Sequence, residues 1–247
     1  SLISIKGLVT MHNKEEAYKL SSPGDHKKYY DKWSGKYDEE FVESENYKYP
    51  EKISKLFMNL AELKHSPIAD IGCGTGVLGE EFIDTDMILD GYDISSGMLA
   101  EAKKKKVYRN LYECDITKEN ILPTGSYGGV ISCGTFTFGH LGPEYLVRVI
   151  QMLHDGGLGV IGINKAHYLS KGFDEEIRIL ESTGKIYNVK IFEELIYSDR
   201  EVFEEKNIKD DEVSNIIKML LILSQIGIFI YISIVFFRYN NNLNKND

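Results

Sequence analysis

Basic residues are scarce in this chain of 247 residues, and their scarcity limits what the protein can bind. Lysine and arginine number 29 against 38 aspartate and glutamate, which gives a formal net charge of -9. A nonspecific nucleic-acid surface needs a basic face. No nucleic-acid partner is therefore expected. The one strong basic run, Lys103–Lys106, falls at the predicted end of a helix, where cations complement the helix dipole.

Cysteine is also rare, and this excludes a disulfide framework. The three cysteines, Cys73, Cys114 and Cys133, include no pair with the spacing of a metal site. Such a small, odd number is typical of buried thiols in a reducing compartment. The first ten residues lack the apolar core of a signal peptide. A cytoplasmic location, no metal and a flexible amino-terminal extension over 1–26 are expected.

Long apolar runs are missing except near the carboxyl end. Met219–Phe237 contains no charged residue and has the length of a transmembrane helix. Gly227–Phe237 is rich in β-branched and aromatic residues, which instead predicts a strand. After Asn207 the composition also fits translated noncoding sequence. The sequence leaves these three alternatives for the tail 207–247 open, and membrane contact is expected only through 219–237.

A glycine-rich turn after a short apolar strand is the most informative feature of the sequence. Ile68–Gly76 reads Ile-Ala-Asp-Ile-Gly-Cys-Gly-Thr-Gly, and an apolar helix start follows it. Glycines at alternate positions permit positive φ and allow a ligand to approach the backbone. Turns of this kind, at the carboxyl end of a first parallel strand, bind nucleotide-like cofactors.

The same spacing fits the dinucleotide pattern G-x-G-x-x-G through Gly74, Gly76 and Gly79, so NAD is an alternative cofactor. No lysine or arginine lies between Ser66 and Ala102 to neutralise a pyrophosphate, and two glutamates open the following helix. A cofactor with a positive centre and no phosphate suits this acidic segment better. S-adenosylmethionine (SAM), with its sulfonium and ammonium groups, is such a cofactor.

Two further predicted strands end in carboxylates. Met87–Tyr92 is followed by Asp93, which can accept hydrogen bonds from both ribose hydroxyls. Leu111–Cys114 is followed by Asp115, which can accept from an adenine amino group. Gly128–Cys133 is the fourth strand. Strands that alternate with helices predict a doubly wound, mostly parallel α/β sheet with helices on both faces.

With these motifs the chain resembles class I SAM-dependent methyltransferases over Lys27–Tyr197. Three segments, Tyr30–Asp38, Ala69–Glu81 and Asp90–Ala102, resemble more narrowly a group of methyltransferase-like proteins named after the Williams-Beuren syndrome chromosome region. The resemblance implies a Rossmann-like methyltransferase domain, placed here at 27–206. It also implies a seventh, antiparallel strand, which the tail would supply.

Site residues follow from the resemblance position by position. The aromatic segment around Trp33 is implied to cover the cofactor, and the glycine turn to lie under its methionine portion. One departure is His154–Gly157, where the family usually has proline before paired glycines; it is expected to be a turn before the fifth strand. The implied cofactor-binding residues are Tyr30, Trp33, Tyr37, Asp70, Gly72, Cys73, Gly74, Gly76, Asp93, Ile94, Met98, Asp115, Ile116 and Cys133.

The segment after the fourth strand, Gly134–His140, is expected to face the methyl acceptor. His140 is the candidate base by residue type and position, although a loop histidine bonded to backbone is the alternative. Four aromatic and histidine residues could line the same pocket or belong to the core; they are Phe136, Phe138, His167 and Tyr168.

The predicted function is methyl transfer from SAM to an unidentified acceptor, a small molecule or a protein, with S-adenosylhomocysteine as the product. The sulfonium already activates the methyl group, so no universal catalytic residue is required. A noncatalytic adenosyl-binding module and a NAD-dependent oxidoreductase are the alternatives. Turnover distinguishes the first of these from an enzyme, and nicotinamide-cofactor binding distinguishes the second.

Overall fold

The computed structural model describes residues 20, 22–43, 46–119, 121–195 and 230–238. Within them the strands are β1 (Ile68–Ile71), β2 (Leu89–Asp93), β3 (Asn110–Glu113), β4 (Tyr127–Phe136), β5 (Leu153–Asn164), β6 (Ile186–Leu195) and β7 (Ile230–Arg238). They form one sheet in the order β3-β2-β1-β4-β5-β7-β6. The first five strands are parallel, and β7 runs antiparallel between β5 and β6.

Helices connect the strands and precede the sheet. They are α1 (Pro23–Trp33), α2 (Tyr49–Met58), α3 (Val77–Glu80), α4 (Ser96–Lys105), α5 (Leu146–Met152), α6 (Lys165–Lys171) and α7 (Phe173–Ser182). Short 3-10 turns lie at Ser34–Lys36, Leu63–His65 and Pro143–Tyr145, and a π-helical turn lies at Asp38–Glu43. Helix α1 begins at Pro23, inside the segment predicted as a flexible extension, most of which lies outside the described residues.

Buried side chains cover both faces of the sheet. On β4, Val130 belongs to a cluster that includes Phe173 of α7, and the next residue, Ile131, belongs to a second cluster that includes Phe57 of α2. Successive side chains of a strand point to opposite faces. Two covered faces explain the long apolar strands and confirm the predicted doubly wound, Rossmann-like fold.

The entry to β5 differs from the prediction. The sequence predicted a turn at His154–Gly157 before the fifth strand, but β5 already begins at Leu153 and includes these residues. Gly156 has a φ of 78°, and the register of β4 against β5 shifts between Tyr127 and Gly129. The paired glycines therefore allow a bulge inside β5 rather than forming a turn before it, and local sequence does not distinguish the two.

Residues 230–238 of the tail form the strand β7. Val235 pairs with Val160 of β5 and Ile234 with Ile191 of β6, and the side chains from Tyr231 to Phe236 are buried. Of the three alternatives for the tail, a strand is what these nine residues form; the remainder of 207–247 lies outside the described residues. No helix in the described part of the chain is long and apolar enough to cross a membrane.

Replacement of Ile234 by alanine tests whether β7 belongs to the native sheet. Its side chain is 1% exposed, so Ile234→Ala should lower the free energy of unfolding by about 2–5 kcal/mol. The matched control is Ile179→Ala on α7, where the side chain is 47% exposed and the cost should be below about 1 kcal/mol. Urea unfolding measures both; equal, small effects would contradict the placement of β7.

Candidate active site

A cavity of about 510 Å³ lies at the carboxyl ends of the parallel strands. Its volume is in the range of roughly 300–1,000 Å³ that is typical of small-molecule sites. Its walls come from the ends of β1 to β4, from α1 and from the segment between β4 and α5. The predicted site residues that line it are Tyr30, Tyr37, Gly72, Gly74, Asp93, Ile94, Met98, Asp115, Ile116, Cys133 and His140.

The glycines of the turn after β1 have different physical roles. Gly72 and Gly74 both have positive φ, 68° and 54°. A Cβ at Gly72 would overlap the side chain of Thr135, whereas a Cβ at Gly74 would meet no protein atom within 4 Å. Gly72 therefore lets the turn pack against β4. Gly74 leaves an open cradle in the cavity wall, as a ligand that contacts the backbone requires.

Asp93 at the end of β2 fixes this cradle. One carboxylate oxygen accepts from the backbone N–H of Gly74 at 2.9 Å, and the other accepts from Ser95 at 2.8 Å. Burial raises the pKa of the Asp93 carboxyl above its ordinary value. Each oxygen of a carboxylate can accept a second hydrogen bond, so Asp93 can also receive ligand hydroxyls.

The far end of the cavity has one carboxylate between apolar walls. Asp115 Oδ1 accepts from the backbone N–H and the hydroxyl of Thr117 at 3.0 and 2.6 Å. Oδ2 lies 3.9 Å from Lys118 Nζ. Met98 and Ile116 are almost fully buried and line the same cavity. Apolar side chains together with a carboxylate lone pair suit an aromatic ring that carries an amino group.

Asp70 and Cys73 line a smaller cavity, about 50 Å³, on the other side of the glycine turn. Asp70 Oδ2 accepts from the hydroxyl of Tyr108 at 2.7 Å, while its buried Oδ1 has no hydrogen-bond partner in the structure. Burial raises the pKa of Asp70 to about 7, and the nearby Asp93 adds to the effect. An unsatisfied buried carboxylate oxygen is a fit for a cationic or N–H-bearing ligand group.

Trp33 and Gly76 also lie outside the wall of the main cavity. The indole of Trp33 donates to Glu40 Oε2 at 2.8 Å, and its ring packs edge-on against Tyr37 at 4.8 Å between centroids. Trp33 thus supports an aromatic residue that does line the cavity. Gly76 lies against Ala102 of α4 and Tyr108, so it allows close packing behind the turn.

Helix α1 is held over the cavity by Asp31, a residue that the sequence analysis did not single out. Its carboxylate accepts from Ser95 Oγ at 2.6 Å and from the backbone N–H of Gly97 at 2.9 Å. A Cβ at Gly97 would come within about 3 Å of the Asp31 backbone, so only glycine allows this approach. Lys27 adds an ion pair to Glu113 at 2.7 Å. The helix is thereby attached to the ends of β2 and β3.

His140 is a neutral imidazole at the roof of the cavity. Its Nδ1 lies 3.0 Å from the carbonyl oxygen of Phe138, which can only accept, so Nδ1 carries the proton. Its Nε2 then accepts from the hydroxyl of Tyr30 at 3.1 Å. Burial lowers the pKa of His140 to about 4, and the neighbouring His26 lowers it further. At neutral pH the ring is therefore uncharged.

His26 is a second imidazole at the roof, and the sequence analysis missed it. It is 6% exposed and lines the cavity. Its Nε2 donates to the carbonyl of Gly139 at 2.6 Å, and its buried Nδ1 has no partner in the structure. The spacing of His26 and Tyr30, four residues apart on one helical face, was the available signal. It was overlooked because the helix begins inside the predicted flexible extension.

The other acceptor-pocket candidates lie outside the cavity wall. Phe136 and Tyr168 both pack on Phe173 of α7, and Phe136 is completely buried. His167 Nε2 donates to the carbonyl of Leu141 at 2.9 Å, and Phe138 packs edge-on against its ring. None of these four candidates lines the cavity.

The charge of the cavity wall is negative. Three carboxylates line it, from Asp93, Asp115 and Glu144, and no lysine or arginine is among the described residues that do. A pyrophosphate buried here would lack a cationic partner, which disfavours NAD. The open cradle at Gly74 and the carboxylates fit a SAM molecule, whose sulfonium and ammonium are positive.

Residues 68–157 match the family described as methyltransferase domain. Over these residues the chain is similar to a methyltransferase domain. The match covers the strands from β1 into β5, and therefore the glycine turn, Asp93, Asp115 and His140. The predictions of an enzyme, of methyl transfer and of SAM as cofactor are confirmed at the level of this domain, with the acceptor unidentified. No curated protein matches the chain significantly in sequence.

Solved structures of methyltransferases share this fold. Phosphoethanolamine N-methyltransferase 2 of Haemonchus contortus, in complex with phosphomonomethylethanolamine and S-adenosylhomocysteine, superimposes with a TM-score of 0.52 at 18% identity. The alignment covers 77% of this chain and 52% of the Haemonchus chain, so this chain spans about half of that enzyme.

Two shorter proteins align over almost their whole length. A methyltransferase of Haloferax volcanii, in complex with the Trm112 methyltransferase activator, gives a TM-score of 0.55 at 16% identity, over 85% of this chain and 98% of that one. A SAM-dependent methyltransferase of Thermotoga maritima gives a TM-score of 0.53 at 16% identity, again over 85% of this chain and 98% of that one. At these identities the methyltransferase domain shares their fold, and its residue roles must come from its own site.

The pH dependence of stability tests the neutral state of His140. With its pKa lowered from 6.5 to about 4, the folded protein binds this proton more weakly than the unfolded chain does. The resulting stability is complete above pH 6.5 and is lost as the pH falls toward 4. Between pH 7 and pH 4, His140→Gln should lose about 3 kcal/mol less unfolding free energy than the wild type.

Urea unfolding of both proteins across this pH range makes the comparison. Asp70, whose pKa is raised to about 7, affects stability with the opposite sign, but its contribution is common to both proteins. Parallel curves for wild type and variant would contradict a depressed pKa at His140.

Proposed function

We propose that the protein transfers a methyl group from SAM to a small-molecule acceptor bound beneath α1. The observation that carries this proposal is one continuous cavity, which joins the cradle at Gly74 and the carboxylates of Asp93 and Asp115 to the imidazole of His140. A candidate cofactor subsite and a candidate base therefore share one cavity. Methyl transfer requires this proximity.

The cofactor subsite uses the residues that the resemblance implied. Asp93 would receive the ribose hydroxyls, Asp115 the adenine amino group, and the apolar side chains of Met98 and Ile116 would pack on the adenine ring. The backbone at Gly74 would lie against the methionine portion. When bound, SAM supplies a methyl group activated by its sulfonium.

His140 is the proposed base. An oxygen or nitrogen acceptor must lose a proton during or after methylation, and His140 Nε2 would take it in place of the hydrogen bond from Tyr30. The hydroxyl of Tyr30, 3.1 Å from Nε2, holds the ring in place. The Nδ1–H bond to the Phe138 carbonyl fixes the tautomer in which Nε2 is the base.

The roof formed by α1 supports a small molecule over a protein acceptor. Ser22, Pro23, His26 and Tyr30 all line the cavity from above, and Asp31 and Lys27 hold their helix down on the sheet. The narrower resemblance to the Williams-Beuren group is retained here as part of the proposal. The acceptor bound by the Haemonchus enzyme carries a phosphate, for which the described wall of this cavity offers no cation.

Calorimetric titration with SAM, S-adenosylhomocysteine and NADH tests the cofactor. We expect micromolar binding of both adenosyl ligands and none of NADH. Binding of NADH alone would refute the proposal. Adenosyl binding without turnover of any acceptor would indicate a noncatalytic adenosyl-binding module instead.

Asp93→Ala tests the ribose contact. Loss of a buried acceptor for two hydroxyls should cost about 1–3 kcal/mol, or roughly 5- to 150-fold in SAM affinity. Asp86→Ala is the matched control, because Asp86 is exposed on the connection before β2 and should leave the affinity unchanged. Unaltered SAM binding in folded Asp93→Ala would remove Asp93 from the site.

Gly74→Val tests the cradle. The new side chain would meet no protein atom, so the positive φ alone should reduce stability, by about 1–2 kcal/mol. SAM binding should nevertheless be lost, because the branched side chain occupies the space of the cofactor. Gly72 is unsuitable for this experiment, because a side chain there overlaps Thr135. Retained SAM binding by Gly74→Val would show that the turn serves packing only.

A further inference from the structure

The turn that follows β3 carries the Asp115 carboxylate at the cavity wall, and most of its hydrogen bonds are internal. The backbone N–H of Lys118 donates to the carbonyl of Asp115 at 3.0 Å, and Thr117 donates twice to the Asp115 carboxylate. The ammonium of Lys118 comes no closer than 3.9 Å to Asp115 Oδ2, and the lysine side chain is 70% exposed. These contacts set the shape of the turn, but they do not fix its position against the rest of the cavity.

Arg148 of α5 fixes that position from outside the turn. Its Nη1 donates to the carbonyl oxygens of Ile116 at 3.1 Å and of Thr117 at 2.7 Å. Hydrogen bonds from a guanidinium are charge-assisted and stronger than those between neutral groups. Among the described residues, no other side chain forms a hydrogen bond to the turn from a different element. The place of the Asp115 carboxylate therefore depends on Arg148.

The same guanidinium lies over a second part of the cavity wall. Its carbon is 5.3 Å from the ring centroid of Tyr145, which is a cation–π contact. Tyr145, Ile116 and Thr117 all line the cavity, whereas Arg148 is half-buried and is not among the lining residues. One side chain behind the wall thus holds the turn after β3 and the residue before α5 in a fixed relation.

A fixed carboxylate can select the base that it meets. A hydrogen bond weakens steeply when its distance or angle departs from the optimum. A base with an amino group donates to Asp115, but a base with a carbonyl oxygen at the same place sets two acceptors against each other. A carboxylate that is held in position cannot turn away from that repulsion, and repulsion of the wrong ligand is a source of specificity.

We propose that Arg148 is a positioning residue that sets the preference of the cofactor site for adenine. This inference rests on the proposed methyltransferase function, in which Asp115 receives the adenine amino group. Arg148 does not contact the cofactor; it acts through the turn that carries Asp115. The effect of its loss should therefore fall on the choice of base, and not only on affinity or on stability.

Two ligands that differ only in the base test this role. S-inosylhomocysteine has a carbonyl oxygen where S-adenosylhomocysteine has the adenine amino group. In calorimetric titrations the wild type should bind S-adenosylhomocysteine about 10- to 100-fold more tightly than S-inosylhomocysteine. Arg148→Met replaces the guanidinium by an apolar side chain that helices also favour, and it should reduce this preference to about 3-fold or less.

Two further variants of arginine complete the comparison. Arg148→Lys keeps the charge but loses the planar, forked guanidinium, so the preference should fall here as well, although less than in Arg148→Met. It also decides the question if Arg148→Met does not fold. The matched control is Arg178→Met on α7, because Arg178 is 68% exposed and pairs with Asp174. The control should keep the preference of the wild type.

A double-mutant cycle tests whether Arg148 acts through Asp115. Asp115→Ala removes the carboxylate and should by itself abolish the preference for adenine. Arg148→Met added to Asp115→Ala should then change the preference no further, since coupled residues are not additive. A further, independent change in the double variant would contradict the role of Arg148 as a positioning residue for Asp115.

The remaining outcomes separate this inference from the proposed function. Wild-type preference in both folded Arg148 variants would overturn it. An equal loss of affinity for both ligands would also overturn it, because general support of the fold weakens both alike. Equal affinity of the wild type for the two ligands would refute adenine selection and leave the methyltransferase proposal intact. Failure of the wild type to bind S-adenosylhomocysteine at all would refute both.

Discussion

The carboxylate of Asp93 is the contact on which the rest of the site depends. It accepts the N–H of Gly74 from the turn after β1 and the N–H of Ser95 before α4. Two connections that are distant in sequence are thereby fixed against each other at the carboxyl edge of the sheet. The cradle at Gly74 keeps its open shape because the turn is fixed by this bond and by the packing of Gly72 against Thr135.

The connection between β2 and α4, which contains Ser95, also holds α1 over the cavity. Ser95 caps α4 by accepting from the N–H of Met98 at 3.1 Å, and its hydroxyl donates to Asp31 of α1. Asp31 also accepts from Gly97. Asp93, Ser95 and Asp31 therefore form one chain of hydrogen bonds from the cradle at Gly74 to α1, the helix that covers the cavity. Loss of any member is expected to loosen both the floor and the roof.

The roof then decides the chemistry that the cavity can support. By bringing His26 and Tyr30 against His140, α1 buries the imidazole, and burial keeps it neutral. The basic residue that helps to dock α1, Lys27, pairs with Glu113 outside the cavity wall, so the wall itself keeps its negative charge. The neutral state of His140 and the covering of the cavity both follow from the docking of α1.

Much of the proposed cofactor subsite was predictable from local sequence. The glycine turn, Asp93 and Asp115 each stand at the end of an apolar strand, and parallel strands place their carboxyl ends at one edge. The fold class followed from the same alternation of strands and helices. The bulge at Gly156 was not predictable, because paired glycines are equally typical of a turn. Whether they form a bulge or a turn depends on how this segment pairs with β4.

The amino-acid sequence by itself determined the sheet, the cofactor edge and the acidic character of the site, because these depend on periodicity, glycine positions and net charge within short segments. Tertiary structure alone decided that Trp33 supports the wall, that Phe136 and Tyr168 belong to the core, and that His26 lies beside His140. These outcomes depend on how α1 and α7 pack in three dimensions; the contact between His26 and His140, for example, joins residues more than 100 positions apart in the chain, and no local pattern encodes it.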